Sequence, residues 1–183
     1  MGLFGSGLGG RPIDKLPVDV LSRHECRLCD LNTASRYHPK MQPTGSSEPI
    51  VYMLGEAPGF NEDQEGEQFV GDAGQLLRPL IPTMWRNRIR WNNTIRCWPG
   101  KGNPNPSELQ SACCRPSISR DIETSKPKAI FSFGNVPLQW LLDQTGIMIW
   151  RGRYAPVKVG DHICWAFFFL HPAFIKRKGN KGL

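Results

Sequence analysis

Long hydrophobic runs are missing from this sequence. No stretch of about 18 apolar residues occurs, so no membrane-spanning helix is expected. The first residues lack both the basic lead and the apolar stretch of a secretion signal. Met1-Gly-Leu-Phe-Gly-Ser6 formally fits a myristoylation pattern, but Gly2, Gly5, Gly7, Gly9 and Gly10 read as a loose lead-in. Without a secretion signal, the six cysteines are expected to be reduced thiols or metal ligands rather than disulfides. A second C-x2-C pair to match Cys26-Arg-Leu-Cys29 is also missing, which excludes a two-knuckle zinc ribbon. Acidic residues are scarce: 16 Asp and Glu face 23 Lys and Arg, leaving a formal net charge of +7. Such an excess favours a polyanionic partner, because phosphate contacts gain from attraction and counterion release. No internal repeat and no second compositional block appear. One domain is therefore expected over residues 17–183, preceded by a flexible arm over residues 1–16.

What is present suffices for a core, with 39% of the 183 residues hydrophobic. Apolar runs of strand length recur: Ile50 to Leu54, Asn93 to Cys97, Ala129 to Phe133, and Cys164 to Leu170. Helical segments are expected between them, over Gly74 to Ile81, Pro106 to Thr124 with Ser107 as N-cap, and Val136 to Leu142. A helical turn is expected within Val18 to Asn32, a loop over Tyr37 to Glu48, and a hairpin-like excursion over Arg151 to Asp161. Apolar strands alternating with helices predict an α/β fold: a three-layer α/β/α sandwich around a mainly parallel four-stranded sheet. Ligands in such folds bind outside the carboxyl ends of the strands. Gly55, Asn93, Gly134 and His171 all fall at or near those ends.

Cys164 lies within an apolar strand and reads as a small packing residue. Cys26, Cys29, Cys97 and the pair Cys113-Cys114 remain. Four thiolates suit either zinc or a [4Fe–4S] cluster, and their spacing does not choose between them.

Six segments taken in order carry a resemblance. They are Gly55-Glu-Ala-Pro-Gly59 with Glu62-Asp63; Gly66-Glu-Gln-Phe-Val-Gly71 with Ala73-Gly74-Gln75-Leu76-Leu77; Asn93-Thr-Ile-Arg-Cys97; Lys126-Pro-Lys128 through Gly134; Arg151-Gly-Arg153; and His171-Pro-Ala173. From about Arg23 to Lys178 the chain resembles the family 4 uracil-DNA glycosylases, the iron–sulfur branch of the uracil-DNA glycosylase superfamily. The resemblance implies a monofunctional enzyme that flips uracil out of DNA and hydrolyses its N-glycosidic bond, leaving an abasic site. It further implies a monomer acting on single- or double-stranded DNA, in the cytoplasm of its own cell or, if phage-encoded, of a host. The same fold excising a modified pyrimidine, or a catalytically weak DNA-binding relative, are the alternatives.

The resemblance also assigns residues. Cys26, Cys29, Cys97 and one of Cys113 or Cys114 would hold a structural [4Fe–4S] cluster, with zinc as the alternative. Counting back from Lys126-Pro127 favours Cys114; counting forward from Cys97 favours Cys113 unless the Gly100-Lys-Gly102 loop carries one extra residue, and the fit of Asn103 to the family's loop asparagine requires that insertion, which makes Cys114 the preferred ligand. Phe69 would stack on the extruded base, Asn93 would read its edge, and His171 would donate to the oxygen that gains charge. Gly55 and Ala57 would complete the base pocket. Ala57 stands where the better-known branch has an Asp that orients the attacking water, so Glu56, Glu62 and Asn103 become the candidates for that water. Pro58, Gly59, Phe174, Ile175, Lys176 and Arg177 would meet DNA. Phe174 or Ile175 would wedge into the duplex. Gln68 stands where Pro is common in the family.

Overall fold

The structure is a computed structural model that describes residues 26, 29–31 and 37–179. The expected arm over residues 1–16 lies outside these, as does most of the expected helical turn from Val18 to Asn32. The strands are β1 (Thr44–Gly45), β2 (Val51–Gly55), β3 (Ile89–Asn93), β4 (Ala129–Phe133), β5 (Tyr154–Val159) and β6 (His162–Phe169). The helices are α1 (Phe60–Glu65), α2 (Asp72–Leu77), α3 (Glu108–Ser125), α4 (Asn135–Leu142), α5 (Ile147–Trp150) and α6 (Pro172–Lys178). Two 3₁₀ turns, Arg78–Leu80 and Thr83–Arg88, link α2 to β3.

All six strands among the described residues form one sheet in the order β1-β3-β2-β4-β6-β5. The inner four are parallel, as the apolar runs predicted. Antiparallel β1 and β5 close the two edges, so the sheet has six strands where the sequence pattern predicted four. β1 is only two residues long, and β5 is the first arm of the expected hairpin, with exposed and buried residues alternating. Neither shows a continuous apolar run, because an edge strand of this kind is shielded on one face only.

Every residue of β2 is buried, as a central strand requires. Tyr52 and Leu54 face one side, against Ile118 and Ile122 of α3 and Leu138 of α4. Val51 and Met53 face the other, with Phe69 and Ile81. These are the two outer layers. Ile118, Ile122, Ile130 and Phe168 are each 0% exposed, and each such side chain stabilises the fold by about 1.5–3 kcal/mol. Helix α3 begins where expected: Ser107 accepts from the Gln110 amide, and Gln110 reaches back to the Ser107 amide.

One strand is displaced from its expected place. β3 spans Ile89–Asn93, not Asn93 to Cys97, so Asn93 ends the strand instead of starting it. Arg90 interrupts the apolar pattern and hides the strand; in the fold its guanidinium pairs with Asp121 of α3 at 2.6 Å. Beyond Asn93, the Thr94 and Ile95 amides donate to the carbonyls of Gly55 and Glu56. The chain thus stays beside β2 after the sheet has ended.

Asp121 also anchors a buried network. Tyr52 donates its hydroxyl proton to Asp121 at 2.7 Å and accepts from Asn92 Nδ2 at 2.8 Å. Asn92 Oδ1 in turn accepts from the Asn93 amide at 2.9 Å. Tyr52→Phe removes a charge-assisted bond and strands the Asn92 amine, which should lower stability by about 1–3 kcal/mol. Urea unfolding should show an earlier midpoint at unchanged slope. An unchanged midpoint would mean that the network contributes nothing.

Candidate active site

Parallel pairing sets Gly55 of β2 directly opposite Asn93 of β3 at the carboxyl rim of the sheet. Phe69, Asn93 and His171 line one cavity there, of about 290 Å³, together with Ala57, Glu62 and Asn103. Gly55 lies beneath it. A Cβ on Gly55 would fall on Asn93 Oδ1 and come within 2.7 Å of Phe69 Cζ, so only glycine lets the ring and the carboxamide meet above that strand end.

Phe69 takes a left-handed backbone, with φ +56°. For a bulky side chain this is an outlier that costs of order 1–3 kcal/mol. The surroundings impose it. The ring lies tilted against Trp91 at 5.3 Å and edge-on to Phe133 at 6.3 Å. Arg78 donates from Nε to the Phe69 carbonyl and from Nη2 to the Gln68 carbonyl, both at 2.8 Å, with its guanidinium over the Trp91 ring. Phe69 is therefore both a core residue and a cavity wall.

Asn93 is 3% exposed. Its amine donates to Gln68 Oε1 at 2.7 Å. His171 caps α6, and its Nδ1 accepts from the Ala173 amide at 3.2 Å. An Nδ1 that accepts carries no proton, so the neutral ring carries its proton on Nε2. Burial, and then the Arg177 cation, push the His171 pKa down to about 4. At neutral pH the cavity thus holds an uncharged donor, not an imidazolium.

Residues 42–182 match the family model described as "Uracil DNA glycosylase superfamily". The chain belongs to that superfamily. It is similar to the "Type-4 uracil-DNA glycosylase" of Sulfurisphaera tokodaii, 30% identical over 169 residues, spanning 88% of this chain and 74% of that one. The corresponding protein of Archaeoglobus fulgidus is 30% identical over 172 residues, spanning 89% and 82%. That of Thermotoga maritima is 28% identical over 143 residues, spanning 76% and 72%.

The remaining site residues divide into groups. Glu62 is buried in the wall of this cavity, but its oxygens accept from the Gly59 amide at 3.0 Å and the Gly71 amide at 2.8 Å. It braces two turns together. Glu56, the other carboxylate expected near the water, lines a second cavity of about 240 Å³ with Phe174 and Arg177. Burial raises its pKa, and Arg177 partly offsets the rise. Asn103 is exposed at the mouth, with Oδ1 accepting from Trp98 Nε1 at 2.8 Å. Asp63, fully buried, caps the 37–38 loop through the Tyr37 and His38 amides.

Among the expected DNA contacts, Gly59 lines the cavity, but Pro58 is buried, so its ring is not offered to a phosphate. Ile175 is 41% exposed and Phe174 half-buried. Lys176 pairs with Asp72 at 2.7 Å across the cavity rim, between α6 and α2. Sequence reasoning missed Phe60, which lines the cavity while 46% exposed and edge-on to Trp98 at 5.2 Å. An aromatic directly after the Gly59 turn was the available signal.

The cysteines converge. Cys26, Cys29, Cys97, Cys113 and Cys114 line one small cavity with Lys40 and Arg96. Burial pushes the Cys114 thiol up to about 12, with Cys97 and Cys29 adding to the rise. Cys97 is raised for the same reason, with Cys29 and Cys26 adding. Cys97 and Cys114 also share an apolar cluster with Leu31 and Ile95, against which Cys29 packs. Among the described residues, no group of three or more His, Cys, Asp or Glu side chains stands ready to hold a metal ion. The donor set nevertheless fits a thiolate-bound centre, since burial and the neighbouring sulfurs disfavour the thiolate form and a bound cation would offset both. Cys164 is buried in β6, as its apolar surroundings predicted.

NMR should find His171 titrating near pH 4, well below the usual 6.5, and holding the Nε2–H tautomer above it. A midpoint between 6 and 7 would mean that the ring is solvated and outside the cavity wall.

Proposed function

We propose that this protein is a monofunctional DNA glycosylase that removes uracil, leaving an abasic site. One observation carries the reading: an aromatic ring, a buried carboxamide and a neutral imidazole share one cavity at the strand ends. The relatives' name, type-4 uracil-DNA glycosylase, supports the same substrate. A base must leave the stack to enter such a cavity. Phe69 then offers a stacking face, an interaction of about 1–3 kcal/mol per base.

Breaking the C–N bond leaves an oxocarbenium-like sugar and an anionic base. Asn93 accepts from the base N–H and donates to the neighbouring carbonyl. His171 donates from Nε2 to the other carbonyl oxygen as its charge grows. Neutral donors already in place stabilise that charge without needing to reorganise. Water completes the hydrolysis at the sugar carbon. Asn103 has its oxygen engaged by Trp98, so its amine is the group that holds this water. Glu62 acts as the strut between the Gly59 and Gly71 turns, and Glu56 serves the neighbouring groove with Arg177. Ile175 is the exposed wedge, and the basic end of α6 meets phosphate.

Cys26, Cys29, Cys97 and Cys114 would hold a [4Fe–4S] cluster, which supplies cross-linking of chain segments and not a reacting group. Cys113 and Cys114 both line the cysteine cavity, so the choice between them rests on the resemblance.

The test is a duplex with one uracil, treated with protein and then alkali. Strand scission at the uracil supports excision; tight binding to an unbroken strand would overturn it. Asn93→Ala should reduce excision by roughly 10²–10³-fold, the cost of losing one placed donor, while nonspecific DNA binding persists. Excision at the wild-type rate would remove Asn93 from its role. Cys114→Ser should lower iron and sulfide in the purified protein, whereas Cys113→Ser should keep them. The reverse result would exchange the two residues, and zinc in place of iron would discard the cluster.

A further inference from the structure

Gln68 is 0% exposed, in the loop between α1 and α2. Its Nε2 donates to the Gln42 carbonyl at 3.2 Å, and its Oε1 accepts from Asn93 Nδ2 at 2.7 Å. A backbone carbonyl can only accept, so the amine end of Gln68 must face Gln42. Its oxygen must then face Asn93, and Asn93 must answer with its amine. The orientation of both amides follows from a group that cannot be turned over. The free edge of Asn93 is its Oδ1, beside Gly55, and the second hydrogen of its amine.

We propose that Gln68 is a positioning and specificity-determining residue that locks the Asn93 carboxamide in the orientation that reads an imide edge. This rests on Asn93 being the group that reads the base. An imide edge, such as that of uracil, offers an N–H beside a carbonyl. An amidine edge, such as that of cytosine, offers the reverse and demands a flipped Asn93. Flipping Asn93 alone sets its oxygen against the Gln68 oxygen. Flipping both sets the Gln68 oxygen against the Gln42 carbonyl. Either way two buried acceptors face each other, a penalty worth roughly tenfold or more in an equilibrium.

The test uses the full chain and single-stranded oligonucleotides carrying one 2′-fluoro-deoxyuridine or one 2′-fluoro-deoxycytidine, whose glycosidic bonds resist cleavage. The ratio of the two Kd values is the readout. The wild-type protein should prefer the uridine strand. Gln68→Met, similar in volume, should narrow that preference by roughly tenfold, and, because it leaves the Gln42 carbonyl and the Asn93 amine unpaired, it should also lower the unfolding temperature. Asn93→Ala should collapse the preference by itself, and adding Gln68→Met to it should change nothing further, as required of a residue acting through another. A preference collapsed by Asn93→Ala but untouched by Gln68→Met would overturn the lock alone. A preference untouched by Asn93→Ala would overturn the base-reading role beneath it. Should the Met variant fail to fold, the wild-type side-chain amides decide: those of Asn93 and Gln68 should exchange with solvent far more slowly than exposed amides. Exchange at the exposed rate would overturn the proposal.

Discussion

The site depends on the register that pairs Gly55 with Asn93 across two parallel strands, over a Cα that carries no side chain. Because β2 and β3 end level, the Asn93 carboxamide projects over β2 instead of into solvent. Because position 55 is glycine, the Phe69 ring reaches the same spot. The two outer layers hold this register from opposite faces: α3 and α4 press on Tyr52 and Leu54, while Phe69 and Ile81 press on Val51 and Met53. The backbone strain at Phe69 is tolerated because Trp91, Phe133 and Arg78 fix the ring and its carbonyl from three directions.

The site is built from neutral donors. His171 is kept uncharged by burial and by Arg177, and Asn93 bears no charge at any pH. A cationic donor would attract a nucleobase's carbonyl before reaction as well as after. A neutral donor holds the uncharged base only weakly, and its bond strengthens as charge grows on the carbonyl oxygen; only that increment accelerates a reaction. The cavity's one buried carboxylate, Glu62, has its oxygens turned to backbone amides. Negative charge is thereby kept from the place where the departing base acquires its own.

The inner sheet was legible because Ile50 to Leu54, Ala129 to Phe133 and Cys164 to Leu170 are apolar on both faces, the mark of buried parallel strands. β3 was misplaced because Arg90 breaks that mark, and only its distant partner Asp121 explains a charge in a strand. The trio Phe69, Asn93 and His171 was legible because each lies beside a glycine turn or a strand end. The division between Glu56 and Glu62 was not, since Glu56 follows the end of β2 while Glu62 lies in α1, and the two open into different cavities that their short separation in sequence does not reveal. Gln68 was visible only as a departure from a familiar pattern. Its partners lie 25 and 26 positions away, so no local spacing announces them.

The cysteine cavity and the Asn93 carboxamide are joined by a continuous set of contacts. Arg96 donates to the carbonyls of Lys40 and Met41, and the Lys40 amide donates to Cys97 Sγ at 3.2 Å. Those bonds fix the 40–42 segment, whose Gln42 carbonyl sets the orientation of Gln68 and through it Asn93. The chain returns by a second route, since Thr94 and Ile95 tie the link between Asn93 and Cys97 to the end of β2. A centre bound at Cys97 would therefore act on catalysis without touching the base, by making rigid the carbonyl against which the reading amides are aligned. Such a centre would have a use near a reaction that needs no electrons: orientation of an amide is lost to a small tilt of its acceptor, and cross-linking the segment that carries the acceptor would remove that freedom.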